Sequence, residues 1–359
     1  MEEWIAMKEP IIDRRLWEAS PRGVLHSLVT LTLLLSVGLC ATLLAQSKSS
    51  EKLKKGMQFY QSARYDQAIS ALTELATDKS LSKTDRRDVY LYLGRAYVAK
   101  NLRDKAKWAM NKLLDLEPPL VEPDPDTELP PLMKIYYDAR KDKTGNTQVE
   151  QSDPGIKTIA VLDFMNRSVD DKEKFDPMEK GFAELMISQL HGTVSLKVVE
   201  RERIKWIMDE IGMENDPTKF DQGTAVRVGK LLGVHTILLG SFIKVNDEMK
   251  LLSRLVKVET GEILATDEVT GDADEFFDLA TQLGERVAKD INVTLSKAEA
   301  QGGSETKSLD AMLSYSEGLV LVEKGDYKKA YDKFQQAFSL DPEYDKARRK
   351  AESLKPLIG

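Results

Sequence analysis

Apolar positions fall into three regimes along the chain. An N-terminal region, residues 1–22, precedes 25 residues (23–47) with no formal charge, including Leu28, Leu31, Leu33, Leu34, Leu35, Leu39, Leu43 and Leu44. A run of that length predicts a hydrophobic helix able to cross a bilayer. From residue 48 to 141, and again from 309 to 355, apolar residues recur at helical spacing. Between these blocks, residues 156–298 change period. Thr158-Ile159-Ala160-Val161-Leu162 is a continuous apolar run, as in a strand buried on both faces.

The helical blocks contain a repeat. Gly56, Phe59, Tyr65, Ala68, Leu72 and Leu75 recur in spacing as Gly94, Tyr97, Arg103, Ala106, Met110 and Leu113. They recur again as Gly318, Leu321, Tyr327, Ala330, Phe334 and Ala337. The spacing predicts pairs of antiparallel helices in which glycine or alanine lets two backbones approach. The segments GRAYVAKNLRDKAKWAMNKLLDLEP (94–118) and GLVLVEKGDYKKAYDKFQQAFSLDP (318–342) resemble tetratricopeptide repeats. The resemblance implies a concave protein-binding groove lined by Met57, Tyr60, Gln61, Leu91, Arg95 and Val98. Leu53, Met57, Leu91 and Arg95 stand where the carboxylate-clamp subclass needs Lys and Asn, so no binding of chaperone tails is expected. Half of the weight stays with repeats that only pack domains together. Residues 117–131, with six prolines and five acidic residues, read as a stiff solvated connector. A capping helix is expected over Leu132–Arg140, and a flexible linker over 142–155. The single C-terminal repeat follows a second linker, 299–308. It cannot bury its core alone and should dock on this chain or on a neighbour.

The middle segment predicts strands at Lys157–Phe164 and Ser195–Val199, then three in succession at Thr236–Val245, Met249–Val258 and Glu262–Thr270. Helices are expected near Met178–Leu190, from Ile204 to Ile211, over Thr224–Leu232, and from Phe276 to Ile291. The fold class is therefore α/β with a mixed sheet, flanked by all-α segments. IAVLDFMNRS (159–168), VVERERIKWIMDEIGM (198–213), AVRVGKLLGVHTILLGSF (225–242) and the KVETGEIL turn (257–264) occur in an order that resembles the CsgG/HfaB curli-assembly family. The resemblance implies an envelope assembly role. The family's secretion channel further implies a lipid anchor and inserted barrel hairpins. Neither is evident here, because the connections at 213–224 and 246–249 are too short.

Composition narrows the chemistry. The only cysteine is Cys40, within the apolar run, so thiol catalysis, cysteine-ligated metals and a disulfide framework are excluded. Leu39 stands where bacterial lipoprotein signals resemble one another in carrying a small residue, so Cys40 is not read as lipidated. A net charge of -7 disfavours nucleic acid as a partner. Gly223 to Gly229-Lys230 imitates a phosphate loop with the wrong gap and Leu231 in place of Ser or Thr. His191 and His235 have no nucleophile elbow beside them. Asp163, Asn166 and Arg167 follow the first strand, where open α/β sheets bind ligands, and are the candidate ligand loop.

These observations predict no catalytic residues, no metal and no cofactor. The expected protein is a non-enzymatic bacterial envelope scaffold whose repeats bind a protein or peptide partner and whose α/β domain mediates assembly. A homo-oligomeric export platform is the alternative, and a ligand sensor or enzyme using the Asp163–Arg167 loop is a third. The expected location is the periplasm, either free after signal cleavage near Ala45-Gln46 or held to the membrane by residues 23–47.

Overall fold

The computed structural model describes residues 48–78, 80–116, 122–149, 155–191, 195–213, 221–295 and 305–359. The expected N-terminal hydrophobic helix lies outside them. Among the described residues, no helix is long and apolar enough to cross a membrane.

The first block is five helices: α1 (48–61), α2 (Tyr65–Ala76), α3 (Lys83–Ala99), α4 (Arg103–Leu114) and α5 (Pro130–Thr144). The repeated glycines serve one purpose in every pair. A Cβ on Gly56 would sit 2.6 Å from Leu72, on Gly94 2.6 Å from Met110, and on Gly318 2.5 Å from Phe334. The sequence repeat is thus a repeat of one contact, backbone against a large apolar side chain. Ser82 caps α3 by accepting from the Asp85 N–H at 3.0 Å. The helix expected at Leu132–Arg140 is α5, begun earlier by Pro130 and Pro131 and closed by Gly145 in the left-handed conformation.

The α/β unit contains β1 (Lys157–Val161), β2 (Met165–Asn166), α6 (Lys172–Phe175), α7 (Met178–Leu190), β3 (Leu196–Val199), α8 (Arg201–Glu210), α9 (Gln222–Leu232), β4 (Thr236–Val245), β5 (Glu248–Lys257), β6 (Ile263–Asp272) and α10 (Phe276–Asp290). Strand order is β3-β1-β4-β5-β6, with β2 beside β4. β1 runs parallel to β3 and β4, pairing Ile159 with Val198 and with Thr236. The β4-β5-β6 meander is antiparallel, and Asn246 at φ 51° makes its first turn. The phosphate-loop imitation is helix α9, where Gly229 allows close approach to Val258 and Ile237.

The sheet divides two cores. Ile159 and Val161 face one, with α7, α10 and the last three helices, α11 (Leu309–Glu323), α12 (Tyr327–Leu340) and α13 (Asp345–Ile358). Ala160 and Leu162 face the other, with α8, α9 and the N-terminal helices. Period-two alternation along β1 thus sends neighbouring residues into different layers, and each layer contains one helical module. The C-terminal helices dock on this chain: Met312 and Ser316 of α11 lie against Gly181 of α7.

Two expectations about connectors are corrected. Residues 122–129 are not a solvated spacer, since Glu128 and Leu129 are 2% and 1% exposed. The segment 145–149 does not behave as a free linker. The Val149 N–H donates to Leu232 O at 2.7 Å, and the Thr147 hydroxyl donates to Leu231 O at 2.6 Å. Backbone groups of 147–149 are satisfied by α8 and α9, and Pro125 O by Lys350 of α13, which a composition rich in Pro, Asp, Thr and Asn does not reveal.

The glycine contacts give the first prediction. Gly318→Ala gains about 1 kcal/mol of helix propensity but forces its methyl into the fully buried Phe334 ring. Overpacking costs about 1–3 kcal/mol, so the melting temperature measured by circular dichroism should fall. A rise would show that the ring can move aside.

Candidate functional site

The chemistry of the chain concentrates around the first turn of α8. Glu200 precedes that helix as its N-cap yet makes no side-chain cap hydrogen bond. The next three side chains leave in different directions. The buried Arg201 guanidinium pairs with Glu323, at the end of α11, and lies 3.4 Å from Asp163. Lys180 of α7 closes the figure, 2.8 Å from Asp163 and 2.8 Å from Glu323. Two cations and two carboxylates from β1's carboxyl end, α7, α8 and α11 therefore neutralise one another out of water. Burial alone would push the Glu323 carboxyl up, but Arg201 and Lys180 outweigh it and hold it well below its ordinary value.

Glu202 accepts from Lys350 of α13 at 2.7 Å, and Lys350 also reaches the connector, at Pro125 O and Asp126, both 3.3 Å away. Arg203 donates to Thr147 O at 2.9 Å and Gln148 O at 2.7 Å, with Glu122 of the connector at 3.5 Å. Farther along α8, the Trp206 indole donates to Asp138 of α5 at 2.8 Å, and its ring lies 5.5 Å from Tyr137. A second buried lysine, Lys346 of α13, reaches Glu184 of α7 at 2.7 Å and Glu305 at 3.4 Å. The start of α8 therefore bonds both helical modules and both connectors at once.

The residues expected to form the ligand loop are engaged in this frame or beside it. Asp163 is 4% exposed and belongs to the charge cluster. Asn166, also 4% exposed, is held by Lys172 O, Asp176, Glu179 and the Ser168 N–H. Arg167 is the exposed member, its guanidinium 3.2 Å from the Met165 sulfur. Among the described residues, no group of three or more His, Asp or Glu is placed to hold a metal ion. His235 Nδ1 faces Thr158 at 2.9 Å, and His191 is exposed.

The expected groove residues do gather on α1 and α3, with one correction. Leu91 is 6% exposed and packs in the core, because its side chain turns toward the partner helices. Met57, Tyr60 and Val98 are half-buried, and Gln61 is exposed. Tyr60 meets Tyr92 edge-on at 5.5 Å and Tyr65 at 5.7 Å. Burial pushes the Tyr60 hydroxyl well above its ordinary pKa, against the opposing pull of Arg95. Arg95 stacks on Tyr92 at 4.5 Å and forms a two-point pair with the buried Glu128 at 2.8 and 2.5 Å. Its charge is internally matched.

Sequence reasoning singled out Glu200 and Arg201 as matching the family signature but missed Lys180 and Glu323, with which Arg201 is grouped. The available signal was Lys180 and Glu184, two charged residues at i and i+4 on a helix, α7, whose remaining residues are mostly apolar.

The fold and this arrangement define an α/β domain built into a helical frame. Residues 143–250 match the family model described as the curli production assembly/transport component CsgG. The middle of the chain is thus similar to the CsgG family. No curated protein matches the chain. Among solved structures it is similar to the LpoB C-terminal domain from Escherichia coli, at 15% identity and a TM-score of 0.27, covering 34% of this chain and 87% of that one. It is also similar to lipoprotein GNA1162 from Neisseria meningitidis, at 16% identity and a TM-score of 0.26, covering 38% and 94%. A third is a PelC dodecamer from Paraburkholderia phytofirmans, at 14% identity and a TM-score of 0.24, covering 40% and 95%.

Two substitutions test the frame in opposite directions. Glu323→Gln leaves Arg201 and Lys180 facing Asp163 alone and should cost about 3 kcal/mol, the low end for breaking a buried pair, in urea denaturation at pH 7. Glu200 behaves differently. Burial, then Glu202, Glu184 and Asp126, push its carboxyl up to about 8 against the pull of Lys346. Its side chain keeps 34% exposure, so water screens part of the repulsion. A raised carboxyl pKa means that the folded chain holds a proton the unfolded chain has lost. The contribution to stability is complete below the unfolded value near 4.5 and disappears as pH rises through 8. Glu200→Gln should accordingly stabilise the fold by an amount that grows from pH 5 to pH 8 and then levels. A gain independent of pH would refute this origin.

Proposed function

We propose that the protein is a non-enzymatic scaffold of the bacterial cell envelope, facing the periplasm. Its CsgG-like domain mediates assembly, and its N-terminal helix pairs, read as tetratricopeptide repeats, bind a protein partner. The observation that carries this reading is the charged junction at α8. It consumes the polar side chains at the carboxyl end of β1 in structural pairs and joins the helical modules into one frame. Such an arrangement suits a protein that presents surfaces at fixed angles. Support for the envelope assignment comes from the CsgG family match and from the uncharged segment at residues 23–47.

The partner-binding face in this reading is Met57, Tyr60, Gln61 and Val98 around Arg95. With Arg95 matched by Glu128, the face offers aromatic and aliphatic surface with no unmatched cation at its centre. A peptide carrying apolar side chains suits it better than a terminal carboxylate. Site-specific photo-crosslinking in the native host tests this. A crosslinker at Gln61 should yield one discrete adduct, and one at the exposed Arg167 should not. Absence of an adduct at both Gln61 and Tyr60 would sink the groove assignment.

The family match favours one second reading, a subunit of an oligomeric export platform. The solution mass by light scattering in mild detergent separates the two. A single large closed species supports the platform, and a monomer or dimer rejects it as a stable state of the isolated protein.

A further inference from the structure

Helices α4, α5 and α8 and the three C-terminal helices meet around a cavity of about 320 Å3. That volume is at the lower end of pockets that enclose small molecules. The cavity's apolar lining includes Met133 of α5, Leu319 and Val322 of α11 and Leu354 of α13. Its partly exposed lining carries Arg103, Lys134 and Lys205, from three different helices. Charge at this rim is not balanced. Arg103 and Lys134 share a single carboxylate, Asp138, at 3.4 and 3.8 Å, and Asp138 already accepts the Trp206 N–H. Lys205 has its own partner, Asp209, at 2.9 Å. Three cations thus face two carboxylates. Deeper in the cavity, Arg201 meets Glu323 and Asp163, and Lys350 meets Glu202 and Asp126, so the positive excess is confined to the rim.

We propose that this cavity binds a small amphiphile with an apolar body and a single carboxylate head. The body lies against Leu319 and Val322, and the head takes the unmatched positive charge at Arg103 and Lys134. Lys134 is 44% exposed and Arg103 65% exposed, so the head remains at the solvent edge while the body is withdrawn from water. A medium-chain fatty acid and the apolar C-terminal residue of a peptide present this same chemistry. Because N-terminal, central and C-terminal helices all line the cavity, a bound ligand would fasten the frame and raise its stability. The proposal does not depend on the groove on α1 and α3.

Calorimetric titration and thermal denaturation of the full chain with octanoate, octan-1-ol, N-acetyl-leucine and N-acetyl-leucinamide test it. Saturable binding is expected for octanoate or N-acetyl-leucine, and at least about tenfold weaker binding for the uncharged counterparts. Octanoate alone would identify a fatty acid site, and N-acetyl-leucine alone a peptide-terminus site. Lys134→Gln, a surface change, should weaken binding of the carboxylate about tenfold and leave the melting temperature of the free protein unchanged. Val322→Trp should fill the cavity and abolish binding. The proposal is overturned if neither carboxylate binds saturably, if octan-1-ol binds as tightly as octanoate, or if Lys134→Gln binds octanoate as wild type does.

Discussion

Four charged groups withdrawn from water set the terms for the rest of this molecule. Asp163, Lys180, Arg201 and Glu323 have side chains between 3% and 14% exposed. An isolated ion at such a depth would cost several kcal/mol. The cluster is tolerable because each cation touches both carboxylates and each carboxylate touches both cations. That closure has a geometric price, since β1, α7, α8 and α11 must arrive together and at one mutual angle. Hydrophobic burial gives each helical module its affinity for the sheet, without direction. The ions supply the direction.

The sheet and the junction complement one another. Alternation along β1 sends Ile159 and Val161 to one core and Ala160 and Leu162 to the other, so the sheet separates the two helical modules. Of the C-terminal helices, only α13 reaches the core that holds the N-terminal ones, through Leu357. The start of α8 ties the two sets together, because Arg201 and Glu202 reach α11 and α13, whereas Arg203 and Trp206 reach the linker, the connector and α5. The cavity beneath those contacts is a consequence of three modules meeting at a corner, where convex helices cannot fill all of the space.

Local pattern revealed the elements well. The five long strands and the main helices of the α/β unit follow from apolar period, and the repeated glycines mark the same contact in three helix pairs. Pairing across distance is where the sequence is silent. Arg201 and Glu323 lie 122 residues apart, and no spacing rule links them. Asp163 sits at a position where many sheets bind ligands, and only its partners reveal that it is structural. Leu91 occupies a groove position by repeat register, yet its side chain is buried. Arg95 looks like a free cation until Glu128, hidden in a segment that reads as solvated linker, is seen to match it. In each case, the missing information was the partner and not the residue.

The position of Glu323 in the chain has a consequence for biogenesis. Asp163, Lys180 and Arg201 are all synthesised more than 100 residues before it. Without α11, Lys180 and Arg201 would face only Asp163, and the core beneath Ile159 and Val161 would lack Leu319. The junction can therefore close only after α11 has been made, long after the three residues it joins.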